Sequence, residues 1–359
     1  MTESIRLPHK PDVPLSYWLT PGRGPISATH LVVFLNGLIM PQTGWRVTVE
    51  ELRRRWGVED GADHPPMLTY DRYGQGESGR DPADESNDGT HDILEIVHDL
   101  RKLVREVWRT RIAPALGHGR EGVGEGASER GKGRPPPSLV FVGNSLGCVI
   151  ARLYASTYPG AAAALLLLDS NMANSDLVSV FPDPDAAGFD AGCLPADVTV
   201  ADLRRTRANY AAAFHPSVPN PEHLDRRGIA ALLPHADRPA LEGPPPLEDD
   251  DGHGGGGGGG GPWITVVGHD WEAFAEEGLR GPMNVPKSLT NAFMNPAWSQ
   301  YNEGLVRLTE EARARGPLTA PGCGHFIQRD DPVLVAELVQ DLLHRVETAE
   351  PRKIASPST

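Results

Sequence analysis

Ser145 stands at the centre of Gly143-Asn144-Ser145-Leu146-Gly147, a Gly-x-Ser-x-Gly turn between the apolar run LVFV and the amphipathic run CVIARLYA. A serine hydroxyl is a weak nucleophile until a neighbouring base takes its proton. A tight strand-to-helix turn would expose that hydroxyl, and glycines on either side would let the backbones pass. The N–H groups at the start of the following helix would face a developing oxyanion. Among thirteen histidines, His325 in GCGHFIQRDDP is the one that follows a small-residue turn and precedes a final helix, a place suited to a base. The base needs a carboxylate on its second nitrogen. Asp169 ends ALLLLD and Asp270 ends ITVVGHD, each at the carboxyl end of a predicted strand, and this requirement alone separates neither. His269 also follows a strand end, and His98 lies within a long helical pattern and reads as structural.

The elements that must position these residues alternate between apolar runs and helical patterns, which predicts an α/β fold: a mostly parallel twisted sheet flanked by helices. SIRLP, PLSYWLT, THLVVFLNG, PMLTYDRYG, PSLVFVGNSLG, AAALLLLDS, WITVVGHD and GPLTAPGCGH read as strands. TVEELRRRWG reads as a short helix and THDILEIVHDLRKLVREVW as the clearest one. In it Ile93, Ile96, Val97, Leu100, Leu103, Val104, Val107 and Trp108 make one apolar stripe. VTVADLRRTRANYAAAF, HLDRRGIAALL and PAWSQYNEGLVRLTEEARA read as helices, as does PVLVAELVQDLLHRV, with Asp331 placed to cap it and Pro332 in its first turn. The polar, glycine-rich 118–136 and the segment 243–262, with its eight successive glycines, read as disordered loops.

The 359 residues suffice for one large α/β domain with insertions, or for two smaller domains. A formal charge of −14 without a long basic run argues against nucleic acid or an anionic membrane as partner. No apolar run is long enough for a membrane span, no secretory leader pattern opens the chain, and Cys148, Cys193 and Cys323 match no zinc spacing. These features predict a cytoplasmic protein with no metal and no cofactor. Gly74-Gln75-Gly76-Glu77-Ser78-Gly79 fits Gly-x-Gly-x-x-Gly, but the acidic, proline-broken RDPADESNDG after it offers no helix N-terminus to a pyrophosphate.

With GNSLG after the fifth strand, GCGHFIQRDDP before the last helix, DRYGQGES after the fourth strand and LNGLIM where many members carry His-Gly, the chain resembles the α/β-hydrolase fold family over nearly its whole length. The resemblance implies Ser145 as nucleophile, His325 as base, and backbone N–H groups of Leu38 and Leu146 as the oxyanion hole. The family's acid usually follows the seventh strand, which is Asp270, while some members place it after the sixth, which is Asp169. A similar tail in one subset favours Asp169. Asp71 and Arg72 are expected to brace the turn near the site, and Asn36 to orient its loop.

Residues 1–170 and 263–359 would then form the core and 171–262 a helical lid, with Phe181, Tyr210, Phe214 and Trp271 as candidates to line an apolar pocket or to pack the lid. The implied activity is hydrolysis of a carboxylic ester or lactone of a small apolar molecule through an acyl-enzyme. A carbon–carbon bond hydrolase and a non-catalytic ligand-binding member of the same fold are the alternatives.

Overall fold

The computed structural model describes residues 2–38, 40–117, 136–244 and 260–349. The predicted loops over 118–136 and 243–262 lie outside the described residues except at their ends.

Among the described residues eight strands form one sheet: β1 (Glu3–Leu7), β2 (Lys10–Thr20), β3 (His30–Leu35), β4 (Met67–Tyr70), β5 (Ser138–Asn144), β6 (Ala162–Leu168), β7 (Trp263–Gly268) and β8 (Ala314–Thr319). Their spatial order is β1-β2-β4-β3-β5-β6-β7-β8. β2 runs antiparallel to β1 and β4, and every other pairing is parallel. The sheet is covered by helices on both faces, so its central strands are continuous apolar runs, every residue of β3 and all but the first of β5 being buried.

The longer helices among the described residues are α1 (Arg46–Arg55), α2 (Ile93–Val107), α3 (Leu146–Thr157), α4 (Val200–Phe214), α5 (Trp271–Arg280), α6 (Asn295–Val306) and α7 (Pro332–Ala349). Strand residues alternate between two apolar layers. Val33, Leu35, Phe141, Leu165, Leu167 and Val266 pack with α2, α3 and α6, while Val32, Phe34, Val140, Val142, Leu166 and Leu168 pack with α1 and α7. All eight residues of the predicted stripe on α2 are buried, and Asp92 caps that helix through the N–H groups of Leu94 and Glu95. Asp331 caps α7 by accepting from Leu334 N at 2.9 Å.

Three local readings differ from the sequence, the first being PAWSQYNEGLVRLTEEARA, whose helix ends at Val306 and whose last residue already opens β8. HLDRRGIAALL is helical only over Ile229–Leu232, because Leu224–Asp225 pairs instead with His91–Asp92. α5 was not anticipated, since only Ala275 along it is fully buried and its apolar stripe is thin. The Gly74–Gly79 turn leads to a 3-10 turn at Pro82–Ser86, with the next helix beginning only at Ile93. Its glycines serve the backbone: Gly74 (φ 76°) lies against Glu222 and Gly76 (φ 52°) against the Asp71 carboxylate, where a Cβ would meet atoms at 2.7 and 2.3 Å.

Candidate active site

The turns that follow β3, β5, β6, β7 and β8 meet at the carboxyl edge of the sheet, where ligands bind in open α/β sheets. Ser145 sits between β5 and α3 with φ 55° and ψ −119°, a strained conformation for a residue with a side chain. The flanking glycines make it possible. A Cβ on Gly143 would stand 2.7 Å from Gly147 C, and one on Gly147 would stand 2.1 Å from Leu35 O. Ser145 N donates to Leu168 O, and Ser145 O accepts from Cys148 N and Asn171 N, so the turn is tied to both β6 and α3.

His325 is held at three points. Its backbone N–H donates to Glu277 Oε2 of α5 at 2.9 Å. Its carbonyl accepts from Asn144 Nδ2 at 2.9 Å, and its Nδ1 lies 2.6 Å from Asp169 Oδ2. Gly324 packs on the same Glu277 carboxylate, where a Cβ would fall 2.3 Å from Oε2. The imidazole is part-exposed, 20 % by side chain, against fully buried Asp169. Trp298 and Phe274 flank its ring edge-on, with centroids 5.6 and 6.5 Å away.

The two candidate acids occupy different places. Asp169 (φ 43°) points both oxygens at histidines, and its Oδ1 also accepts from His269 N. Asp270 caps α5, accepting from Glu272 N, Ala273 N and Gly322 N. Burial acts to raise the Asp169 carboxyl, but His269 and His325 outweigh it and hold the group below the ordinary aspartate range. Bonds from the Gly322, Ala273 and Glu272 amides hold Asp270 low as well.

The loop after β3 is fixed from behind. Arg72 donates to the carbonyls of Asn36 and Gly37, both at 2.8 Å, and forms a buried two-pronged pair with Glu222. Gln75 Nε2 reaches Gly37 O at 3.1 Å. In a trans peptide the next N–H points opposite to that carbonyl, so the Leu38 N–H faces away from Arg72. Gly37 itself lies against Ser145, with a built Cβ 3.4 Å from the serine Cβ. Asn36 has its side chain committed to Tyr70 O, Gln75 and Trp45. Asp71 accepts from Gln42 and from Glu77 N.

Of the four aromatic candidates, Phe181, Tyr210 and Phe214 form a run of ring contacts, with centroids 5.0 and 5.5 Å apart. Trp271 stands apart from it, exposed on the first turn of α5. His98 bonds Tyr158 Oη at 2.6 Å on the surface. Sequence reasoning did not anticipate His269, Asn144, Glu277 or Glu222. His269 carried a signal, standing at a strand end directly before a candidate acid, whereas Glu222 lies 150 residues from Arg72. Among the described residues no group of three or more His, Cys, Asp or Glu side chains could hold a metal ion, and no helix is long and apolar enough to cross a membrane.

No curated protein matches the sequence. Solved structures resemble it in fold. A protein of Acinetobacter baumannii AYE described as a lipase aligns with a TM-score of 0.51 and 16 % identity, covering 98 % of this chain and 93 % of its own. A mutant epoxide hydrolase of Vigna radiata aligns with a TM-score of 0.51 and 11 % identity over 96 % of this chain and 98 % of its own. The sequence profile of the alpha/beta hydrolase family matches residues 32–338, most of the chain and all five turns of the site. The chain therefore belongs to the alpha/beta hydrolase family.

Proposed function

We propose that the chain is a serine hydrolase that cleaves a carboxylic ester or lactone of a small apolar substrate. Ser145 is the nucleophile, His325 the base and Asp169 the acid. The observation that carries this reading is the placement of Ser145 on a strained turn whose preceding residue, Asn144, anchors His325, while Asp169 holds His325 Nδ1 at 2.6 Å.

His325 takes the proton as Ser145 attacks the carbonyl, and the N–H groups of Leu38 and Leu146 hold the oxyanion. The alcohol leaves with that proton. His325 then activates water, which releases the acid and restores Ser145. A serine rather than an aspartate at this turn favours acyl transfer over epoxide opening. The described part of the segment 171–262 serves as the lid over the core, and Phe181, Tyr210 and Phe214 supply its apolar side.

Labelling by a fluorophosphonate, with Ser145→Ala alongside and short-chain p-nitrophenyl esters assayed in parallel, tests the reading. Labelling and turnover that vanish in the variant support it. A folded wild-type chain that neither labels nor turns over any ester or lactone overturns it.

A further inference from the structure

His269 is buried at the end of β7 and takes no part in the reaction as proposed, yet it holds one oxygen of the acid. Its Nδ1 lies 2.8 Å from Asp169 Oδ1, and its Nε2 lies 3.0 Å from Asn295 Oδ1. The orientation of Asn295 is fixed by its neighbours. Its Nδ2 donates to the carbonyl of Trp271 at 3.2 Å and to Asn291 Oδ1 at 2.7 Å. Asn291 in turn gives its Nδ2 to the Glu272 carboxylate. A carbonyl and a carboxylate only accept, so both amides are locked and Asn295 must show its oxygen to His269. Both ring nitrogens of His269 therefore face acceptors, and a ring satisfied at both sites carries two protons.

We propose that His269 is an imidazolium that positions Asp169 and, by sharing its charge, keeps His325 a weaker base than a lone aspartate would make it. The proposal rests on the roles given above to Ser145, His325 and Asp169. The surroundings agree. The Phe274 ring of α5 stacks on His269 with centroids 4.0 Å apart, and Trp298 of α6 meets it edge-on. Facing it are Asp169 after β6, His325 beyond that carboxylate, Asp270 and Glu277 of the α5 region, and the amide of Asn295. Burial acts to lower the His269 proton affinity, but Asp169, Asn295 and Glu277 outweigh it and leave it above the ordinary histidine value.

Two partners sharing one carboxylate make a prediction with a sign. His269→Asn puts an amide nitrogen where Nδ1 stood, keeping a donor to Asp169 while removing the charge. Asp169 then favours protonated His325 more strongly. The acidic limb of kcat/KM moves up by about one pH unit, while the plateau stays within about tenfold of wild type. Loss of packing alone would lower stability and leave that limb in place.

The test is the pH profile of His269→Asn, together with nitrogen-labelled-histidine NMR of the Ser145→Ala chain at about pH 7.5. His269 is assigned there from the Gly268–His269 backbone. Two ring protons on His269 and an upward shift of the limb support the proposal. A singly protonated His269, or an unmoved limb in a folded variant, overturns it. If Ser145 proves not to be the nucleophile, the pH profile loses its meaning but the spectrum still decides the charge of His269. If His269→Asn does not fold, the spectrum decides alone.

Discussion

Asn144 donates its side-chain amide to the carbonyl of His325 at 2.9 Å, although the two lie 181 residues apart. The same amide reaches Leu168 O, the last residue of β6 before Asp169. One side chain adjacent to Ser145 thus sets the loops that carry both the proposed base and the proposed acid. Misplacing a base by a fraction of an ångström costs far more in rate than in stability.

Asn144→Ala removes that common anchor: the His325 carbonyl loses its Asn144 donor, while Leu168 O keeps the Ser145 N–H. The expected cost is about 1–3 kcal/mol in folding free energy and a fall in kcat of about ten- to a hundredfold, with KM little changed. Urea denaturation and steady-state kinetics on the same preparation check both parts. A kcat equal to wild type would show that the loops hold their geometry without Asn144.

Exchanging each aspartate for asparagine separates the two candidate acids. Asp169→Asn should lower kcat by about 10⁴-fold, because the amide no longer holds the required tautomer of His325. Asp270→Asn should keep most activity, since asparagine still caps α5 as well as aspartate does. The opposite pattern would move the acid to Asp270 despite its bonds to the amides of Glu272, Ala273 and Gly322.

The fold was legible because it is written in local patterns. Runs such as LVVFL and ALLLL, and the 3.6-residue stripe of α2, record burial on two faces or one. The turn at Ser145 was legible in part for a similar reason, Gly143 being demanded by Gly147 within the same turn, although Gly147 answers to the distant Leu35 carbonyl. What escaped was whatever depends on distant pairing. Glu222 looks like any surface glutamate until Arg72 is brought against it, and Glu277 sits on a helix whose apolar face is too sparse to announce itself. The choice between Asp169 and Asp270 had no local signature either, since both end apolar strands. Only the third dimension turns one toward His325 and the other into a helix cap.

The Arg72–Glu222 pair links the loop after β3 to the segment read as the lid. Arg72→Met takes the guanidinium away from the buried Glu222 carboxylate, which keeps the Gln75 amide, at a cost of about 3–5 kcal/mol. Replacing both, as Arg72→Met with Glu222→Leu, should recover most of that stability. Activity should not recover with it, because the Asn36 carbonyl has lost Arg72 and the Gly37 carbonyl, on the peptide that carries the Leu38 N–H, keeps only Gln75. Urea midpoints and kcat for the single and double variants check this; joint recovery of both would assign Arg72 a purely structural part.

The shared carboxylate also predicts how stability depends on pH. Asp169 is held below its ordinary value of 3.8, so its contribution is present above that pH and is lost as the folded protein takes up protons below it. His269 is raised above 6.5, so its contribution is full below pH 6.5 and is lost as pH rises through the folded value. The wild-type urea midpoint should therefore fall as pH rises above about 6.5, before lysine and tyrosine titrate. His269→Asn, which lacks the His269 proton, should lose that part of the fall and show a shallower profile even though it starts from a lower midpoint. Parallel slopes in the two proteins would mean that His269 holds the same number of protons folded and unfolded, and the link between the buried ring and the acid would be packing alone.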